Sequence, residues 1–283
     1  MQVSNCSTAL DSHDLPMSFP NYYSCLKGGE RELDTFYRFI GQFTLLPWRS
    51  TNVTFRMGSA FLCSILIMSL DCIEIDPPQT PVGSVIWLHG LGADGYDFEP
   101  IVPEIPIDVP VRFIFPHAPK RPVTINGGME MRAWYDVGAQ SPSSSTDDIR
   151  TSSDLIQELV VSENQRGIPN NRIILAGFSQ GGVIATYLGL RTTDRFAGII
   201  ALSTYVHDHE HVIEEVSFTS IDTPILMAHG VMDPMIPIAR AVTSREVLTA
   251  ANYQVEWHEY AMGHQVCPEE ILDIGNFLNH CLI

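Results

Sequence analysis

From about residue 68 onward, short apolar runs alternate with longer segments whose apolar residues recur every three or four positions. The runs at 82–88, 111–115, 172–176, 198–202, 224–229 and 254–259 are rich in Val, Ile and Leu, as expected of strands covered on both faces. Between them, 147–166 opens with acidic residues after Thr146 and stops at Gly167, which predicts a helix. A second helix over 180–191 places Val183, Ile184, Tyr187 and Leu188 on one face. A last one opens at Pro268 and aligns Ile271, Ile274, Phe277 and Leu278. Its first turn carries Glu269 and Glu270, read here as two charges favoured at the positive end of the helix dipole. The Ser/Pro-rich stretch 140–146 reads as a surface loop. This order of elements predicts an α/β fold, with a mostly parallel central sheet flanked by helices on both faces.

Residues 1–67 lack the alternation. They offer one amphipathic helical segment, with Leu33, Phe36, Tyr37, Ile40 and Phe43 at three- and four-residue steps. The expectation is an N-terminal extension, poorly ordered or foreign to the native protein, ahead of a single α/β domain at 68–283. The apolar run 59–70 falls short of the roughly 20 residues needed to cross a bilayer. It also lies far from Met1 and lacks a basic flank, so it is expected neither to insert stably in a membrane nor to direct export.

The chain has 283 residues, 45% of them hydrophobic, enough for one large core. The net charge of −17 repels nucleic acid and anionic membrane, whereas a small neutral substrate faces no such barrier; a homodimer is left open. Residues 1–67 are balanced, five Lys/Arg against five Asp/Glu, so the negative excess lies in 68–283. The six cysteines show neither zinc-like spacing nor a disulfide framework, which points to reduced thiols in a cytoplasmic protein.

Candidate chemistry centres on Gly177-Phe178-Ser179-Gln180-Gly181, set between a predicted strand and a predicted helix. A serine on such a strand-to-helix turn is presented as a nucleophile at the positive end of a helix, and the glycines let the turn close tightly. A hydroxyl needs a base, and the expected order on this fold is Ser, acid, His. His264, between the last strand and the last helix, is the candidate base. His258 lies within a strand and His280 near a helix end, where structural roles are expected. Asp233, directly after the run at 224–229, is the candidate acid that orients the imidazole. Two backbone N–H groups must face the developing oxyanion, and these are assigned to Gln180 and to Leu91 in His89-Gly90-Leu91-Gly92.

The segments HGLGADGYDFEP, MRAWYD at 131–136, GFSQGG, HGVMDPMIP at 229–237 and MGH at 262–264 together resemble the phospholipase/carboxylesterase family of α/β hydrolases. The resemblance runs from about residue 70 to the C-terminus. It implies the α/β-hydrolase fold, a catalytic triad of Ser179, Asp233 and His264, and oxyanion donors Leu91 and Gln180. It also implies that Trp134 and Tyr135 lie near the acyl pocket. The implied activity is a serine carboxylesterase acting on short- to medium-chain esters through an acyl-enzyme, without cofactor. Acyl-protein thioesterase or lysophospholipase activity is the alternative, and a non-catalytic binding protein on the same fold is a third reading. The run His207-Asp208-His209-Glu210-His211 offers metal ligands, but a serine mechanism needs no metal and none is expected there.

Overall fold

The computed structural model describes residues 70–138, 142–209 and 211–283, so the expectations for 1–67 lie outside the described residues. Strands β1 (Cys72–Ile75), β2 (Gly83–Leu88), β3 (Val111–Pro116), β6 (Ile173–Phe178), β7 (Gly198–Leu202), β8 (Ile225–Gly230) and β9 (Val255–Tyr260) form one sheet, in the order β1-β3-β2-β6-β7-β8-β9. All neighbours pair in parallel except β1, which runs antiparallel to β3. β4 (Lys120–Val123) and β5 (Met129–Arg132) make a separate antiparallel hairpin.

Every residue of β2, β7 and β8 is buried, which explains their unbroken apolar character. Successive side chains point to opposite faces. Val85 and Trp87 therefore join Phe115, Ala176, Leu202 and Phe277 in one core layer, while Ile86 and Leu88 join Ile149, Ile156, Leu175 and Ile184 in another. The first layer is covered by α5 (Pro268–Leu282), the second by α1 (Pro142–Gln165) and α2 (Gln180–Arg191). A third cluster joins Ile199, Ile225 and Met227 to Leu248 of α4 (Ile238–Ala250); a single turn, α3 (Val212–Glu215), precedes β8. At the N-terminal end of the strands, buried Glu163 of α1 takes ion pairs from Arg112 at 3.0 Å and Arg166 at 2.9 Å, and a hydrogen bond from Ser84.

Two expectations about helices change. The helix expected from Asp147 begins at Pro142, so the end of the Ser/Pro-rich stretch is first-turn helix rather than loop; Pro suits the first helical position, where its missing N–H costs nothing. Glu269 is exposed as expected, but Glu270 is fully buried and neither carboxylate oxygen has a hydrogen-bond partner among the described residues. Burial, the main cause, pushes its pKa up to about 8, so it is not the solvated charge expected at the helix dipole.

Candidate active site

The parallel sheet delivers the candidate residues to one end, just beyond the C-terminal ends of β2, β6, β8 and β9. Ser179 stands between β6 and α2 with φ 52° and ψ −117°, a backbone region that L-residues rarely occupy. A Cβ at position 177 would lie 2.3 Å from the Gly181 carbonyl group, and one at position 181 would lie 2.4 Å from the Leu88 carbonyl oxygen. Both glycines are therefore required for the turn to close. The Ser179 amide donates to the Leu202 carbonyl at 2.9 Å, and its carbonyl accepts the Thr204 hydroxyl at 2.6 Å. These bonds secure the backbone, and Ser179 as a whole is half-buried on the turn.

His264 follows β9, and its Nδ1 lies 2.7 Å from Asp233 Oδ2. Asp233 Oδ1 accepts the amides of Met235 at 2.8 Å and Ile236 at 2.9 Å. Burial of Asp233 opposes its charge, but the hydrogen bonds from His264 and the two amides outweigh that opposition and hold its carboxyl below the usual aspartate range. With Nδ1 engaged, the imidazole keeps Nε2 as its free nitrogen. Its ring packs 4.7 Å from that of Phe178, the residue before Ser179. The Asp233 and His264 loops meet at Gly230, where a Cβ would lie 2.3 Å from the Gly263 carbonyl oxygen.

Gly90 faces the turn, with its Cβ position 3.5 Å from Ser179 Cβ. Among the described residues, neither the Leu91 nor the Gln180 amide donates a hydrogen bond, so both are available to a ligand oxygen. The loop bearing Leu91 is pinned from behind. His89 is buried, its Nδ1 donates to the Gly90 carbonyl at 2.7 Å, and its Nε2 accepts the Ala118 amide at 3.0 Å. Burial drives its pKa down to about 4, so the ring is neutral near pH 7 and can make both bonds at once.

Trp134 is fully buried and donates its indole N–H to the His89 carbonyl at 2.9 Å. The structure thus puts it behind the loop, where it supports the site without offering a substrate a surface. Tyr135 is also buried, with its hydroxyl 3.0 Å from that of Tyr205. Sequence reasoning overlooked His89, His229 and Tyr205. His229 Nε2 donates to the Ile236 carbonyl at 2.8 Å and lies 3.4 Å from Asp233 Oδ2, bracing the acid. The HG pair at 229–230, repeating the one at 89–90, is the signal that could have drawn attention to it.

The histidines at 207–211 do not converge. His207 bonds Thr146, His209 bonds Ser244, and His211 bonds Asp208, and among the described residues no group of three or more ligating side chains is arranged to hold a metal. His258, expected to be structural, pairs with Glu256 at 2.8 Å and Asp273 at 3.3 Å.

A parallel sheet with a strained serine turn at the head of a helix, and a histidine paired to a carboxylate beside it, defines an α/β hydrolase of the serine type. A family model described as phospholipase/carboxylesterase matches residues 70–282. The chain belongs to that family and is a hydrolase of carboxylic ester or thioester bonds. It is 33% identical over 234 residues to acyl-protein thioesterase 1 of Cryptococcus neoformans, covering 76% of this chain and 98% of that protein. It is 36% identical over 214 residues to acyl-protein thioesterase 1 of Neurospora crassa, covering 70% and 86%. The crystal structure of SOBER1 from Arabidopsis thaliana superposes with a TM-score of 0.66 at 26% identity, over 71% of this chain and 99% of that one. Acyl-protein thioesterase 2 of Zea mays shares the fold, with a TM-score of 0.67 at 23% identity over 75% and 99%. No helix among the described residues is long and apolar enough to cross a membrane.

Proposed function

We propose that the protein hydrolyses S-acyl thioesters and simple carboxylic esters through an acyl-enzyme on Ser179. The reading is carried by the 2.7 Å pairing of His264 Nδ1 with Asp233, beside a serine held on a strained turn. Ser179 Oγ attacks the acyl carbonyl while His264 Nε2 takes its proton, and Asp233 stabilises the resulting imidazolium. The Leu91 and Gln180 amides hold the oxyanion. His264 then returns the proton to the departing thiolate or alkoxide. Water, deprotonated by the same nitrogen, releases the carboxylic acid and restores Ser179.

The names of the relatives at 33% and 36% identity favour acyl-protein thioesters as substrates. The second reading, short- to medium-chain carboxylesters or lysophospholipids, draws support from a family description that names phospholipase and carboxylesterase. The cysteine pattern fits a cytoplasmic site of action, which forms part of the proposal. The test is kcat/KM for an S-acyl-cysteine peptide, p-nitrophenyl esters of increasing chain length and a lysophospholipid, with Ser179→Ala alongside. Abolished turnover in the folded variant supports the mechanism, and substantial residual turnover overturns it. A higher kcat/KM for the peptide than for every ester supports the thioesterase reading, and the reverse order favours the second.

A further inference from the structure

Arg240 occupies the first turn of α4, directly after the loop that carries Asp233. Its guanidinium carbon lies 3.3 Å from the centroid of the Tyr205 ring. Tyr205 follows Thr204, whose hydroxyl binds the Ser179 carbonyl at 2.6 Å, and its own hydroxyl reaches that of Tyr135 at 3.0 Å. The Tyr135 carbonyl in turn accepts the Gln180 side chain at 2.7 Å. A continuous chain of contacts therefore runs from both ends of the Ser179–Gln180 elbow to one cation.

That cation is exposed, and among the described residues no carboxylate pairs with it. Near the 207–211 loop, Asp208 is engaged by His211 at 2.9 Å and Glu215 by Arg191 at 2.5 Å. Other arginines of known partner, such as Arg112, Arg121 and Arg166, sit in ion pairs. Arg132, Arg172 and Arg245 also lack a carboxylate partner among the described residues; what sets Arg240 apart is its place, stacked on Tyr205, the neighbour of the Thr204 that binds the Ser179 carbonyl. Stacking on a ring face leaves the N–H edges of a guanidinium free, and its planar fork matches a carboxylate.

We propose that Arg240 determines specificity for substrates bearing an anionic group, with a carboxylate as the defining chemistry. The inference rests on the esterase reading above and narrows its substrate class. The carboxylate is carried either at the far end of the acyl chain or on the leaving group, and Arg240 binds it while Tyr205 holds the guanidinium in place.

Two matched substrate pairs test this. Mono-p-nitrophenyl adipate against p-nitrophenyl hexanoate places the charge on the acyl side; 4-carboxyphenyl hexanoate against 4-carbamoylphenyl hexanoate places it on the leaving group. The readout is the ratio of kcat/KM, anionic over neutral, within each protein. Arg240→Met lowers the ratio about tenfold for one pair, the scale of one charge-assisted contact, and Arg240→Lys retains part of it. Arg245→Gln, one turn further along the same helix against Trp257, controls for net charge and leaves both ratios unchanged. Ratios in Arg240→Met equal to those of the parent for both pairs, or an equal fall in Arg245→Gln, overturn the proposal. Absence of turnover of the neutral esters by the parent protein would instead defeat the esterase reading itself.

Discussion

The backbone amide of Trp134 donates to the side-chain oxygen of Gln180 at 2.7 Å, so the residue that follows Ser179 holds the segment that supports the opposite loop. Gln180 also donates to the Tyr135 carbonyl at 2.7 Å and is itself buried. Its backbone N–H is free for the oxyanion while its side chain joins the two halves of the site. Gln180→Ala orphans one buried donor and one buried acceptor and should cost about 2 kcal/mol of stability. Because the Trp134 indole props His89, kcat falls with it. Denaturant unfolding and ester kinetics on the same preparation check both.

Ser179 pays for its place on the turn with backbone strain at φ 52°. Glycine accepts that conformation freely, and alanine does not. Ser179→Gly should therefore be more stable than Ser179→Ala by about 1 kcal/mol, with both inactive. Equal melting temperatures would contradict a strained turn.

Asp233→Asn keeps an acceptor for the Met235 and Ile236 amides but changes what faces His264 Nδ1. The imidazole is then favoured in the wrong tautomer, and kcat should fall by about 10,000-fold with little loss of fold. The parent carboxyl is held below its ordinary range. Its stabilising contribution is therefore present above the unfolded aspartate pKa and is lost as pH falls through the folded one. Acid unfolding should accordingly begin at a higher pH when the His264 partner is removed, as in His264→Ala.

Gly230→Ala directs a methyl group at the carbonyl oxygens of Gly263 and Met262, 2.3 and 2.5 Å away. The Asp233 and His264 loops must then separate. The expected result is a fall in kcat of at least about 100-fold, since misplacement by about 1 Å costs that much. An unchanged kcat in the folded variant would mean the two loops need not touch.

Glu270 keeps its proton in the folded protein up to about pH 8, whereas the unfolded chain releases it near the ordinary value of 4.5. Its neutral burial thus favours folding fully below about pH 4.5, and that contribution is lost as pH rises toward 8. His89, with its pKa lowered to about 4 from 6.5, acts in the opposite sense only below about pH 6.5. Between pH 6.5 and 8 the Glu270 effect stands alone of the two. Thermal stability should fall across that window, and Glu270→Gln should flatten the fall, as melting curves at half-unit intervals would reveal.

All six expected strands matched within two residues at each end; β3, β2, β6, β7 and β8, inside the sheet, were legible because burial on both faces requires continuous apolar runs, whereas β9 lies at the edge with none of its residues buried. β1 and the β4–β5 hairpin were not legible, because they are four residues long and largely lie at an edge or outside the main sheet. Ser179 was legible from its glycines, whose Cβ positions are physically filled by backbone. Asp233 and His264 required chain order as well as loop position. The inward turn of Glu270 was hidden, since an acidic residue in a first helical turn reads as solvated whether or not it faces the core. The role of Trp134 was equally hidden, because sequence places a side chain near a site without saying which side of the backbone it occupies.

The parallel strand order has one more consequence. The loops at residues 90–92, 179–180, 230–233 and 262–264 arise from four strands spread over most of the described domain, and no short contiguous fragment holds them all. Reaction of Ser179 with a fluorophosphonate therefore reports completion of long-range strand assembly, so covalent labelling during refolding can serve as a clock for the slowest contacts in the molecule.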